Sequence, residues 1–125
     1  MNNTVYPCLW FDNNASDVVQ YYLSIFNDGQ ILYQNQFMIQ FKIYGTKFMA
    51  INGGPKYKVN PSVSYFIYCG GSLEEIDRLY SRLSDGGKII IPIGQQPWSE
   101  RYAWVEDKYG VNWQFDIDAI NNPQK

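Results

Sequence analysis

The spacing of hydrophobic and polar positions changes several times along the chain, and the changes occur in the same order twice. Residues 5–11 read as a short apolar strand. Asn13 or Asn14 can cap a helix beginning at the next residues, because an amide oxygen accepts from the free N–H groups of a first helical turn. Ala15, Val18, Val19, Tyr22, Ile25 and Phe26 then recur at helical spacing. Asn27-Asp28-Gly29 stops that helix, with Gly29 suited to a left-handed conformation. Three strands come next at about residues 30–36, 38–44 and 47–52, with Tyr44-Gly45-Thr46 as a tight turn between the last two.

The second half repeats this order. Residues 63–69 form an apolar strand, and Ser72 with Glu75 makes a capping-box pair, each side chain bonding the other residue's backbone N–H. Leu73, Ile76, Leu79, Tyr80 and Leu83 form the apolar stripe, and Glu74 with Arg78 makes a favourable i,i+4 pair. Asp85-Gly86-Gly87 ends the helix. Strands are expected after it at about residues 88–93, 102–106 and 111–117, with residues 107–110 as the turn. Phe11 and Tyr68, Asp28 and Asp85, and Gly29 and Gly86 are all 57 residues apart, whereas Gly45 and Gly110 are 65 apart. The second copy therefore carries about eight extra residues, 94–101, which read as an inserted loop. The expected fold is α+β: one domain of two tandem β-α-β-β-β modules, at about residues 4–54 and 62–118.

A chain of 125 residues can bury roughly two-thirds of its surface and needs no metal or disulfide to fold. Aromatic residues make up 18% of it, enough to line a cavity or an interface as well as a core. The net charge of −2 with no basic run lacks the footprint of a nucleic-acid binder. The apolar runs are too short for a membrane span, and residues 1–10 lack a signal peptide's basic and apolar regions. Two cysteines are too few for a secreted disulfide framework, so a cytoplasmic location is expected.

Three segments, in this order and spacing, carry a family resemblance. They are Leu9-Trp10-Phe11-Asp12 with Val19-Gln20-Tyr21-Tyr22 and Ile25-Phe26; Phe48-Met49-Ala50-Ile51-Asn52-Gly53-Gly54; and Ala103-Trp104-Val105-Glu106-Asp107-Lys108-Tyr109-Gly110-Val111-Asn112-Trp113-Gln114. The chain resembles the vicinal oxygen chelate superfamily of glyoxalase I and the bleomycin-resistance proteins, and within it the PhnB-like branch. The resemblance implies paired modules whose sheets curve around a cup, in a homodimer. One departure is a short Asn35-Gln36-Phe37 connection where the branch has a longer Gly-rich loop.

That branch is often labelled a demethylubiquinone methyltransferase domain. A methyl-donor fold calls for a Gly-rich strand-to-helix turn with an acidic residue one strand later, and Gly53-Gly54 leads instead into Pro55 and a loop. The superfamily's enzymes hold a divalent metal on four strands. The corresponding positions here fall at Tyr6, Met49, Ser64 and Gln114, of which Gln114 alone is a usual ligand type. The chain has no histidine, the favoured neutral nitrogen donor. Asp12, Asp28, Asp85, Glu106 and Asp107 sit at helix starts, stops and turns, where solvated roles suffice, rather than facing one point as magnesium or manganese would require. No cofactor is expected.

Without histidine, Ser-His-Asp and Cys-His arrangements are excluded. Cys8 and Cys69 fall on opposite strand faces and read as separate buried thiols. General acid–base work by Glu106, Asp116 or a tyrosine stays open.

Alternation directs Val5, Pro7, Leu9, Phe11, Val63, Ile67, Val111, Trp113 and Phe115 toward the helices. The other faces carry Tyr6, Cys8, Trp10, Met49, Ile51, Ser64, Phe66, Tyr68, Trp104, Asn112 and Gln114, aromatic walls with a few hydrogen-bonding groups. Trp98, on the inserted segment, is placed as a lid, a dimer anchor or a group packed on its own subunit. The expected function is metal-independent binding of, or action on, a small, partly aromatic or apolar molecule. The alternatives are a resistance-type protein that sequesters a drug and a structural or regulatory dimer with a filled cup.

Overall fold

The computed structural model describes residues 2–118. The chain separates between Val59 and Asn60 into two compact units, each with one helix and one four-stranded mixed sheet. Among the described residues no helix is long and apolar enough to cross a membrane.

The first unit runs β1 (Cys8–Phe11), α1 (Ala15–Ile25), β2 (Gln30–Gln34), β3 (Met38–Ile43) and β4 (Thr46–Asn52). Its strands lie in the order β1-β4-β3-β2, with β1 parallel to β4 and the other pairs antiparallel. The helical periodicity of α1 buries Ala15, Val18, Val19, Tyr22 and Ile25. The helix packs on β3 and β4, where alternation supplies Ile39, Phe41, Phe48 and Ala50, all buried. Tyr22 stacks on Phe41 at 6.2 Å, and Phe41 on Phe48 at 5.4 Å. Each such side chain contributes roughly 2 kcal/mol on burial.

Local details depart from the sequence reading for identifiable reasons. Strand β1 starts at Cys8 rather than residue 5: Pro7 has no N–H to offer a ladder, although its carbonyl accepts from Met49 N at 2.9 Å, and Val5 is fully exposed. Asn14 is the N-cap residue but its side chain makes no capping bond. The carboxamide oxygen of Asn52, at the end of β4, takes Ala15 N at 3.0 Å instead, tying helix to sheet. Gly29 does not adopt a positive φ. It is required by space, since a Cβ there would lie 2.7 Å from Leu23 Cδ2. At the β3–β4 turn, Tyr44 and Gly45 both have positive φ (48° and 78°), the requirement of a two-residue type I′ hairpin. Tyr44 tolerates it with its N–H on Asp28 Oδ1 at 3.1 Å and its ring edge-on to Phe26.

The second unit repeats the plan: β5 (Ser64–Tyr68), α2 (Leu73–Ser84), β6 (Lys88–Gln96), β7 (Ser99–Glu106) and β8 (Asn112–Asp116), in the order β5-β8-β7-β6. Helix α2 buries Ile76, Leu79 and Leu83 over the sheet, while Leu73, expected in the stripe, is exposed. Ser72 Oγ accepts from Glu75 N at 3.2 Å as a cap should. The Glu75 carboxylate grips Arg78 at 3.0 and 3.1 Å, so the guanidinium closes on the residue three positions back rather than on Glu74. Val63 lies outside β5 and is more than half exposed, contrary to its expected helix-facing position.

The inserted segment is not a loop. Strand β6 runs on to Gln96 and β7 begins at Ser99, so residues 94–101 extend the β6–β7 hairpin around a Pro97-Trp98 turn. The pairing slips three times, between Ile89 and Ile91, Ile91 and Gly94, and Gly94 and Gln96. Pro92 is tolerated because β6 is an edge strand.

Candidate functional site

In each unit the helix covers one face of the sheet and alternation leaves the other open. In the first unit the open face brings expected residues side by side: Cys8 pairs with Met49 and Trp10 with Ile51 across the parallel β1–β4 ladder. Trp10 is half-buried, donates its Nε1–H to Gly54 O at 2.8 Å and meets Tyr57 edge-on at 4.9 Å. Its indole lies where a Cβ on Gly53 would stand, so Gly53 is needed for that close approach. Tyr6 lies under Lys47, whose Nζ is 4.3 Å from the ring centroid. Cys8 is exposed rather than buried: it opens the edge strand β1 on the face the helix does not cover, while Leu9 and Phe11 on the opposite face are buried.

The second unit's open face carries the richer chemistry. Ladder register sets Ser64 beside Asn112, Phe66 beside Gln114 and Tyr68 beside Asp116; on the other side of β8, Trp104 stands beside Gln114 and Tyr102 beside Asp116. Tyr102 donates its hydroxyl to Gln114 Oε1, and Gln114 Nε2 donates to Ser64 Oγ at 2.7 Å. Trp104 Nε1 donates to Asn112 Oδ1 at 2.9 Å, and Asn112 Nδ2 donates to Glu106 Oε1 and Gly110 O, both at 3.2 Å. Phe66 and Tyr68 are 52% and 38% exposed, so rings stand open to solvent beside this polar row.

Tyr102 was missed by the sequence reading, although period-two counting back from Trp104 places it on this face. Burial, with the Asp116 carboxylate beside it, pushes its hydroxyl pKa up, so it stays a donor. Asp116 is fully buried and accepts from Ser99 Oγ at 2.6 Å and Asp118 N at 2.8 Å. Trp98 meets Tyr102 edge-on at 5.4 Å, so the extended hairpin brings an indole to the same network. Cys69 is buried, as expected; burial first, then Glu75 and Asp116, push its thiol up to about 12, and it stays protonated.

Asp107 corrects the expectation of a solvated role. It is buried, with Oδ1 accepting from Tyr109 N at 2.8 Å and Val111 N at 3.1 Å and Oδ2 accepting from Trp113 Nε1 at 2.9 Å. It holds the β7–β8 turn together and takes no part in the open face.

Known proteins share this geometry. A model of the 3-demethylubiquinone-9 3-methyltransferase family matches residues 3–116, nearly the whole chain. The chain belongs to that family. It is the PhnB-like branch of the vicinal oxygen chelate superfamily, as the solved structures agree. A putative 3-demethylubiquinone-9 3-methyltransferase, PhnB protein, from Bacillus cereus is 27% identical, with a TM-score of 0.83 over 93% of this chain and all of that one. The fold is shared more widely. The fosfomycin resistance protein FosX from Listeria monocytogenes is 12% identical at a TM-score of 0.67, covering 100% of this chain and 99% of its own. A glyoxalase-related enzyme from Fulvimarina pelagi is 12% identical at 0.61, covering 94% and 89%. No curated protein matches the chain.

FosX has been seen with Mn(II) and sulfate; in this chain the side chains at the positions expected to face a metal are otherwise engaged or poorly suited. Gln114 spends its carbonyl oxygen on Tyr102 and an amide hydrogen on Ser64. Met49 offers a soft thioether, and the Lys47 ammonium sits over Tyr6. Among the described residues no three Cys, Asp or Glu side chains gather to hold an ion. These residues do not fit a hard divalent metal.

The methyltransferase description meets a similar mismatch. Gly70 and Gly71, both at positive φ, do form a Gly-rich turn from β5 into α2, which the sequence reading overlooked. The sheet around that turn is β5-β8-β7-β6 with one parallel pair, not the doubly wound parallel sheet in which such turns bind nucleotides. Glu74 and Glu75 occupy the first turn of α2, where an anionic ligand group would be repelled.

Proposed function

We propose that this PhnB-like protein binds a small, partly aromatic or apolar molecule on the open face of its second sheet, without a metal. The observation that carries the reading is the juxtaposition of half-exposed Phe66 and Tyr68 with the Tyr102–Gln114–Ser64 hydrogen-bond chain. Apolar walls with a few fixed polar groups are what small-molecule sites are made of. Phe66 is 52% exposed on the single chain, which leaves its ring available to a ligand.

Metal independence rests on the donor set. Thermal unfolding followed while Mn²⁺, Zn²⁺, Ni²⁺ and Mg²⁺ are titrated should show no specific rise in melting temperature; a rise reversed by chelator would overturn this part of the reading.

We also place the working form as a cytoplasmic homodimer. The surplus of exposed aromatics supports the dimer, Phe37 and Trp98 among them, since aromatic side chains are enriched where protein surfaces meet. Analytical ultracentrifugation at micromolar concentration should give a species of twice the 14.6 kDa chain mass. A sedimenting monomer would refute it.

A further inference from the structure

The hydrogen bonds on the open face of the second sheet have a direction. A glutamine side chain has one acceptor oxygen and two N–H donors. In Gln114 the oxygen takes the Tyr102 hydroxyl and one N–H goes to Ser64 Oγ at 2.7 Å. Ser64, having accepted, still has its own O–H to give, and Gln114 has its second N–H. Both residues are half-buried, so neither is sealed off from a ligand on this face. The raised pKa of Tyr102 keeps its hydroxyl protonated and the polarity of the chain unchanged through neutral pH.

Several acceptors nearby already take a donor from the protein. Asn112 Oδ1 takes the Trp104 indole, and Asp116 Oδ1 takes Ser99 and Asp118 N. A ligand that only donates hydrogen bonds competes with these donors and leaves the Ser64 and Gln114 hydrogens unused. A ligand that is itself an anion meets the half-buried Glu106 carboxylate on the same face. An uncharged acceptor meets neither obstacle. Ring partners stand on either side of Gln114 in the ladder, Phe66 on β5 and Trp104 on β7, which suits a flat molecule.

We infer that Ser64 and Gln114 form a paired donor site for the oxygen of an uncharged, aromatic carbonyl compound, seated between Phe66 and Trp104. The inference rests on the binding reading above and adds the class of ligand. It gives Gln114 the opposite task from a metal ligand: its oxygen is held by Tyr102, and its second N–H is the group offered to the ligand.

The test uses three probes of one size: acetophenone, ethylbenzene, in which hydrogens replace the carbonyl oxygen, and benzoate, which adds negative charge. Each is titrated into the full ¹⁵N-labelled chain while the Gln114 side-chain amide signals are followed. Acetophenone is expected to shift them and to bind about tenfold or more tightly than either competitor. Ser64→Ala should weaken acetophenone about fivefold, the effect of losing one neutral hydrogen bond. Gln114→Glu keeps the size and the acceptor for Tyr102 but has no hydrogen to give, and should weaken it about tenfold or more. Amide spectra and melting temperatures recorded for both variants establish that they fold, and Ser64→Ala carries the test alone if Gln114→Glu does not. Equal or tighter binding of ethylbenzene or of benzoate, or unchanged affinity in the folded variants, would overturn the donor assignment while leaving a ligand site on this face. Failure of all three probes to shift the Gln114 signals would overturn both the assignment and the site.

Discussion

Replacing Asp107 with alanine is expected to destabilise the protein by about 3–5 kcal/mol, because three donors lose one buried acceptor. Tyr109 N, Val111 N and Trp113 Nε1 all end on this carboxylate, and Trp113 and Val111 are themselves almost fully buried. Removing the side chain leaves those hydrogens with no nearby water to turn to, and each hydrogen bond to a charged group is worth about 1.5–3 kcal/mol. The backbone bonds of the same turn, Asp107 N to Val111 O at 2.8 Å and Gly110 N to Asp107 O at 2.9 Å, close the loop but do not reach the indole. Asp107→Asn should cost less, about half as much, since one carbonyl oxygen can still serve the two backbone amides while its NH₂ faces the Trp113 N–H. Urea unfolding of the two variants would show this order. A loss below about 1 kcal/mol for Asp107→Ala would refute the role.

Gly87→Ala should cost about 2–3 kcal/mol, the upper part of the range for forcing atoms into a packed site. Its new Cβ would run into the carbonyl oxygen of Glu106 and stand 2.9 Å from the Asp107 carbonyl carbon. Those atoms belong to backbone, and Glu106 is the partner of Lys88 at the start of the β6–β7 ladder, so relief requires the strands to part. Gly86→Ala next door is the informative contrast. Gly86 has a φ of 77°, but a Cβ there meets nothing closer than 3.4 Å, so the expected cost is about 1 kcal/mol of conformational strain. Equal losses for the two variants, measured by thermal or urea unfolding, would contradict this division of labour.

These neighbouring glycines show how far the sequence could be read. Asp85-Gly86-Gly87 reads as one helix stop, and for Gly86 that is its role. The need for Gly87 comes from Glu106, nineteen positions away, and no local pattern announces it. The helices and the repeat were legible because periodicity is local: Ala15, Val18, Val19, Tyr22 and Ile25 specify a buried face without reference to the rest of the chain. The hairpin at residues 94–101 was not, since eight residues without a counterpart in the first copy read as an inserted loop, and what holds them in strands is pairing across the sheet, Gly94 with Tyr102 and Gln96 with Ser99, with Ser99 Oγ on Asp116. The candidate site divides in the same way. Ser64, Phe66, Trp104 and Gln114 follow from alternation. Tyr102 completes the network through a bond to Gln114 that depends on strand register, and the engagement of the Gln114 oxygen cannot be seen without it. Asp107 was misread because a turn aspartate is ordinarily solvated, and here the indole of Trp113 draws it under.

The strand orders β1-β4-β3-β2 and β5-β8-β7-β6 have a consequence for how the protein is made. Each sheet pairs the first strand of its unit with the last, so every ladder closes within roughly fifty residues of chain. Once Asn52 has left the ribosome, the amino-terminal sheet has all of its partners, and it can assemble while the carboxy-terminal half is still being synthesised. Among the described residues no strand takes its partner from the other half, and the nascent chain is spared the long search that non-local pairing imposes.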